Sequence, residues 1–212
     1  MLLKSAALAG FLMVATLTGA QAATIFTEDF SGATPGQGYN GGIAGTQLTV
    51  TSGNVDILGQ LNGNLFGCSG NPGGNCLDLI GDQGQAVVQS TVSFNLIAGT
   101  TYTVSWTDFL QGGHAPGTQL EYAVSLGSHS QNYFSEPITQ LFSLQFTAAA
   151  TELGALLVFD TIGNINGFHG PVLSGISIDA VATTPIPGAL PLFASALAGL
   201  GAAHWRRRRK AA

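Results

Sequence analysis

Between Lys4 and Arg206 the 212-residue chain holds no lysine and no arginine. That absence excludes a good deal. Nucleic acid and anionic lipid are attracted by basic side chains, and a phosphate-cradling glycine loop needs a lysine. Lyase chemistry on an anionic sugar needs a cation against the developing charge, so here it would require a metal. Cysteine is nearly absent, with only Cys68 and Cys76. A zinc site would need two more ligands, and His114, His129 and His169 are remote from both cysteines in sequence. There is no Gly-x-Ser-x-Gly elbow, no histidine pair at helical metal spacing and no DxDxDG loop. The eleven carboxylates lie between Glu28 and Asp179 without a distinctive motif, so a glycosidase pair has no sequence signature.

What is present is uneven. The net charge of −5 conceals a segregation: all six basic residues sit at Lys4 and at Arg206, Arg207, Arg208, Arg209 and Lys210. A chain trimmed at both ends would carry eleven carboxylates and no base, repelling nucleic acid and attracting divalent cations. Charged residues make up only 8% while apolar ones reach 45%, regularly spaced and accompanied by 30 glycines. That is the balance of a turn-rich, exported all-β domain and not of a disordered chain.

The first residues, MLLKSAALAGFLMVATLTGAQAATIF, carry one early positive charge at Lys4, an apolar stretch from Ala6 to Leu17 and the small-x-small site Ala20-Gln21-Ala22. This predicts a signal peptide helix over residues 1–22, cut by signal peptidase between Ala22 and Ala23. In an oxidising compartment Cys68 and Cys76, separated by the turn-rich SGNPGGN, are expected to form a local disulfide.

Residues 184–212 hold prolines at 185, 187 and 191, an apolar run of about fifteen residues, Trp205 and the basic cluster. Trp205 suits a membrane interface, and the arginines suit its cytoplasmic side. The prolines keep the approach extended and open to an enzyme. A short C-terminal transmembrane helix, inserted transiently in the inner membrane, is the expectation; a permanent anchor is the alternative. Pro185-Ile186-Pro187, GALPLFASALAGLGAAHW and RRRRK together resemble the PEP-CTERM sorting signal of Gram-negative bacteria, with Ile186 where the motif has Glu. The resemblance covers about the last 30 residues. It implies an exosortase-type membrane peptidase as partner, release to the cell surface or extracellular matrix, and a setting of exopolysaccharide and biofilm.

Between the ends, over 23–183, the pattern has period two. In QAVVQSTVSFNLIAG, Ala86, Val88, Val92, Phe94 and Leu96 share a face, and TYTVSW alternates Tyr102, Val104 and Trp106 against Thr101, Thr103 and Ser105. These two segments predict a hairpin about Ala98-Gly99-Thr100. QLEYAVSL turns Leu120, Tyr122, Val124 and Leu126 inward, and QLFSLQFTA does so with Phe142, Leu144 and Phe146. LGALLVFD is apolar almost throughout, as a strand covered on both faces would be, and VLSGISIDAV closes the domain. Eight to ten strands separated by Gly, Asn and Pro turns predict a β-sandwich of jelly-roll type.

Glu28-Asp29-Phe30, SFNLIAGTTYTVSW and the closing GPVLSGISI resemble, in order, the galactose-binding-like jelly-roll domains of secreted bacterial proteins, including carbohydrate-binding modules. In related modules acidic residues of the first and last strands hold a structural calcium. Ser174 stands where the closing motif has Asp, which leaves Glu28 and Asp179 as the candidate ligands. Otherwise no cofactor is implied. Sugar binding needs exposed aromatic faces with polar partners. Trp106 is expected in the core by its register with Val104. Tyr39, Tyr133 and Phe134, in loop-like surroundings, are the candidate ligand contacts. The expectation is an exported, non-enzymatic surface or matrix protein that binds polysaccharide; a secreted glycosidase-like enzyme is the alternative.

Overall fold

The computed structural model describes residues 22–59, 68, 74–81, 84–110, 119–136, 138–162, 170–182, 193, 195–201 and 206. Two antiparallel sheets enclose one core, making a β-sandwich. The larger sheet runs β11 (Gln140–Thr147), β8 (Thr100–Leu110), β14 (Pro171–Ala182), β5 (Cys76–Asp78), β4 (Val55–Leu58) and β2 (Gly36–Tyr39), with β1 (Ala22–Glu28) also paired to β14. The five-stranded sheet runs β10 (His129–Ser135), β9 (Leu120–Leu126), β13 (Leu157–Thr161), β6 (Val87–Ser90) and β3 (Leu48–Ser52). A third, small sheet pairs β7 (Phe94–Leu96) with β12 (Glu152–Ala155). The compact unit holding these strands is Ala22–Thr183.

Period-two alternation builds the core. Tyr102, Val104 and Trp106 of β8 face Tyr122, Val124 and Leu126 of β9 and Leu157 and Phe159 of β13, all buried. Trp106 is the hub, with ring centroids 4.8 Å from Tyr133, 5.8 Å from Phe159 and 6.0 Å from Phe142. Side chains of this size each contribute about 1.5–3 kcal/mol on full burial. The disulfide between Cys68 and Cys76 is formed and packs with Leu58 and Val172 on the other side of the large sheet.

Three strand expectations are corrected. Among the described residues the domain has fourteen strands and not eight to ten. Residues 85–99 do not make one strand, nor a hairpin with β8, whose partners are β11 and β14. Ser90 breaks that strand: its hydroxyl donates to Val92 O (2.8 Å) and accepts from Leu157 N (3.1 Å), so residues 91–93 leave the ladder exposed. β6 then joins the five-stranded sheet and β7 pairs with β12. LGALLVFD is likewise split, at Leu156, which separates β12 from β13. It is not covered on both faces, since Leu153 is 75% exposed and Asp160 reaches solvent.

Residues 195–201 are helical and exposed, as is Arg206. Among the described residues no helix is long and apolar enough to cross a membrane. Ala22 and Ala23 open β1, opposite Val181 and Ala180. The other residues of the expected signal peptide, Ala20 among them, the motif Pro185-Ile186-Pro187, and Arg207 to Lys210 lie outside the described residues.

Candidate functional site

The three aromatic candidates separate. Tyr133 is a correction: it belongs to β10, is only 6% exposed, and stacks edge-on against Trp106. Its hydroxyl donates to Ser143 O (2.8 Å), and burial raises its pKa. Phe134, the next residue, points the opposite way and is 48% exposed. Tyr39 ends β2 half-buried, packs against the core, and donates to Thr34 O (2.6 Å), which ties its hydroxyl to its own loop.

Glu28 and Asp179 lie on neighbouring strands, yet the register does not bring them together. Glu28 pairs with Ile176, three residues from Asp179, a separation along the strand of roughly 10 Å. Glu28 is buried on the core side and caps two amides, Phe30 N (2.8 Å) and Gln47 N (2.7 Å). Asp179 faces outward and accepts from the Thr24 hydroxyl. The two carboxylates stand on opposite faces of one sheet, so they do not share an ion. Among the described residues no group of three His, Cys, Asp or Glu side chains is placed to hold a metal.

A different surface gathers recognition chemistry: the outward face of the five-stranded sheet. The inward positions of its strands fill the core, so the alternate positions form rungs across five hydrogen-bonded strands. One rung runs Ser130, Ser125, Val158, Gln89, Thr49. The next runs Asn132, Ala123, Asp160, Val87. At the β10 edge Phe134 stands opposite Glu121, and Asn132 Nδ2 donates to Glu121 Oε1 (2.8 Å). All of these side chains are at least partly exposed. Asp160 reaches solvent, but partial burial among its neighbours still lifts its carboxyl above the ordinary carboxylate range. Among the described residues the face thus offers amide, hydroxyl and carboxylate groups around small residues, with one aromatic ring at its margin and no cation. Of the predicted contacts, only Phe134 belongs to it. The others had a signal in the sequence, namely the positions out of phase with Tyr122, Val124 and Phe159.

Inside the sandwich a polar chain crosses the core. Trp106 Nε1 donates to Tyr122 Oη (2.8 Å), Tyr122 Oη donates to Asp108 Oδ2 (2.9 Å), and Ser135 Oγ donates to Asp108 Oδ1 (2.8 Å). Burial first, then the Asp108 charge, drives the Tyr122 pKa far upward, so this hydroxyl remains a donor. With both oxygens engaged and the group sealed from solvent, Asp108 is a core-tying residue and not a base open to substrate.

No family model matches the chain, and no curated protein matches it. Among solved structures it is similar to the CBM22-1 xylan-binding domain of Xyn10C from Paenibacillus barcinonensis, at 13% identity over 78% of this chain and 98% of that one, with a TM-score of 0.45. It is also similar to the K3 cleaved adhesin domain of Lys-gingipain from Porphyromonas gingivalis (14% identity, 75% and 99% covered, TM-score 0.41). A third likeness is to TmCBM27, a carbohydrate-binding module that recognises mannan (11%, 77% and 100%, TM-score 0.40).

Proposed function

We propose that this chain is an exported, non-catalytic protein that binds a neutral polysaccharide on the outward face of its five-stranded sheet. A single observation carries the reading: the rungs of Ser130–Ser125–Val158–Gln89–Thr49 and Asn132–Ala123–Asp160–Val87, with Phe134 at the edge, form a broad exposed array of hydrogen-bonding groups. Sugar hydroxyls both donate and accept, which is what amides, carboxylates and hydroxyls match. An aromatic ring supplies the apolar face that a pyranose stacks on. The carboxylates of Glu121 and Asp160, with no lysine or arginine from residue 5 to residue 205, disfavour an acidic polymer. Sorting by an exosortase-type system to the cell surface or extracellular matrix, and a part in exopolysaccharide and biofilm association, complete the proposal. They rest on residues 1–22 and 184–212.

The test is affinity electrophoresis of the purified chain in gels containing mannan, galactan, xylan or a polyuronate. Retardation by a neutral polymer is expected, with Phe134→Ala and Asp160→Asn each weakening it about tenfold, on the order of 1.4 kcal/mol. Binding that survives both substitutions moves the site elsewhere. Release of reducing ends sinks the non-catalytic reading and points to Glu121 and Asp160, diagonal neighbours on β9 and β13, as an acid–base pair.

A further inference from the structure

The other side of the large sheet carries an arrangement that sugar binding does not use. The pairing of β4 with β5 sets Asp56 directly opposite Asp78. Both point away from the main core, since they alternate with Val55, Ile57 and Leu77, which lie in it. Neither is exposed: Asp56 is 6% accessible and Asp78 is 1%. Asp78 Oδ1 accepts from Ile80 N (2.9 Å) and Gly170 N (3.1 Å), while its Oδ2 has no hydrogen-bond partner among the described residues. Asp56 Oδ1 accepts from Gly38 N (2.8 Å). The backbone closes over the pair: a Cβ on Gly170 would stand 2.6 Å from Asp78 Oδ1. The side-chain oxygen of Asn54, also buried, lies 2.6 Å from where a Gly81 Cβ would be, beside the same strands.

Like charges directly opposite on paired strands repel, and burial multiplies the cost. Proteins usually answer with an arginine or lysine, and this domain has none. A proton or a small inorganic cation can supply the neutralising charge. We propose that Asp56 and Asp78 hold a divalent cation of the calcium type between β4 and β5, with Asp78 Oδ2 as a direct ligand. One divalent ion cancels the two carboxylate charges. Asp56 and Asp78 present oxygen donors, and both cysteines are consumed in the disulfide, which suits calcium over zinc or copper. A calcium-type ion takes its further ligands from carbonyl oxygen or water. This site is distinct from Glu28 and Asp179 and independent of the sugar-binding face, so either can fail without the other.

The test uses the full chain, stripped with EDTA and titrated with calcium chloride at neutral pH by calorimetry and thermal melting. One ion bound per chain is expected, with the melting temperature rising roughly 5–10 °C at a hundredfold excess over the dissociation constant. Asp56→Asn and Asp78→Asn are expected to abolish both effects, and Glu136→Gln, at the carboxylate just past β10 that accepts from Gln119 Nε2, to keep both. Should the Asn variants not fold, amide hydrogen exchange on the unaltered chain replaces them. Calcium then slows exchange at Gly38, Ile80 and Gly170. No uptake, or uptake that leaves these amides unprotected, overturns the proposal. So does a chain indifferent to calcium that loses stability as pH rises through the Asp78 pKa. Burial, then the Asp56 charge, raises that pKa, so a proton held only in the folded state would stabilise it below that pH and not above.

Discussion

Tyr122 stands between two groups that could not be buried without it. Its oxygen accepts from the Trp106 indole and its proton goes to Asp108, so one hydroxyl satisfies a donor and an acceptor at the centre of the core. Tyr122→Phe leaves the indole N–H without that acceptor and strips one donor from a buried carboxylate. A loss of about 2–4 kcal/mol in urea unfolding is expected, against about 1 kcal/mol for Tyr133→Phe, which removes a single neutral bond to Ser143 O. An equal cost for both would mean the chain of hydrogen bonds is not the determinant. At this scale the sequence was readable by parity alone. Trp106 was legible as core from its phase with Val104, and the same phase places Asp108 inside. Tyr133 was misplaced because SQNYF reads as polar loop, when Tyr133 and Ser135 are the inward pair and Asn132 and Phe134 the outward one.

The elements are joined by turns that cross between the sheets. Gly53 links β3 of the five-stranded sheet to β4 of the large one, with φ +68°. A Cβ there would lie 1.9 Å from Gln85 O, a contact with backbone that no rotamer relieves. Gly53→Ala is therefore expected to cost about 2–4 kcal/mol, read as a lower denaturation midpoint with unchanged slope. A neutral effect would show that the loop re-forms freely. Strand existence was legible from alternation, and strand partnership was not. QAVVQSTVSFNLIAG keeps the same apolar phase on both sides of Ser90, but whether the strand continues past Ser90 depends on a hydroxyl bonded to Val92 and Leu157, the second 67 residues away. No local pattern encodes that bond.

For the molecule as a whole, the ends and the middle obey different rules. The sorting proposal expects the intact mass of exported material to lack residues 1–22 and everything beyond the Pro185–Pro187 region. Extracellular protein that retains Trp205 and the arginines would remove it. Charge segregation, the disulfide and the β-sandwich are one-dimensional facts: they follow from which residues occur, how far apart, and with what period, so the sequence by itself determined them. What only the tertiary structure decided is which residues meet. Pairing register put Glu28 and Asp179 on opposite faces, set Asp56 against Asp78, and aligned Asn132, Ala123 and Asp160 into one rung. The physical reason is that a strand's side-chain phase is local, whereas its neighbour is chosen by the packing of both sheets around Trp106, a property of the folded whole.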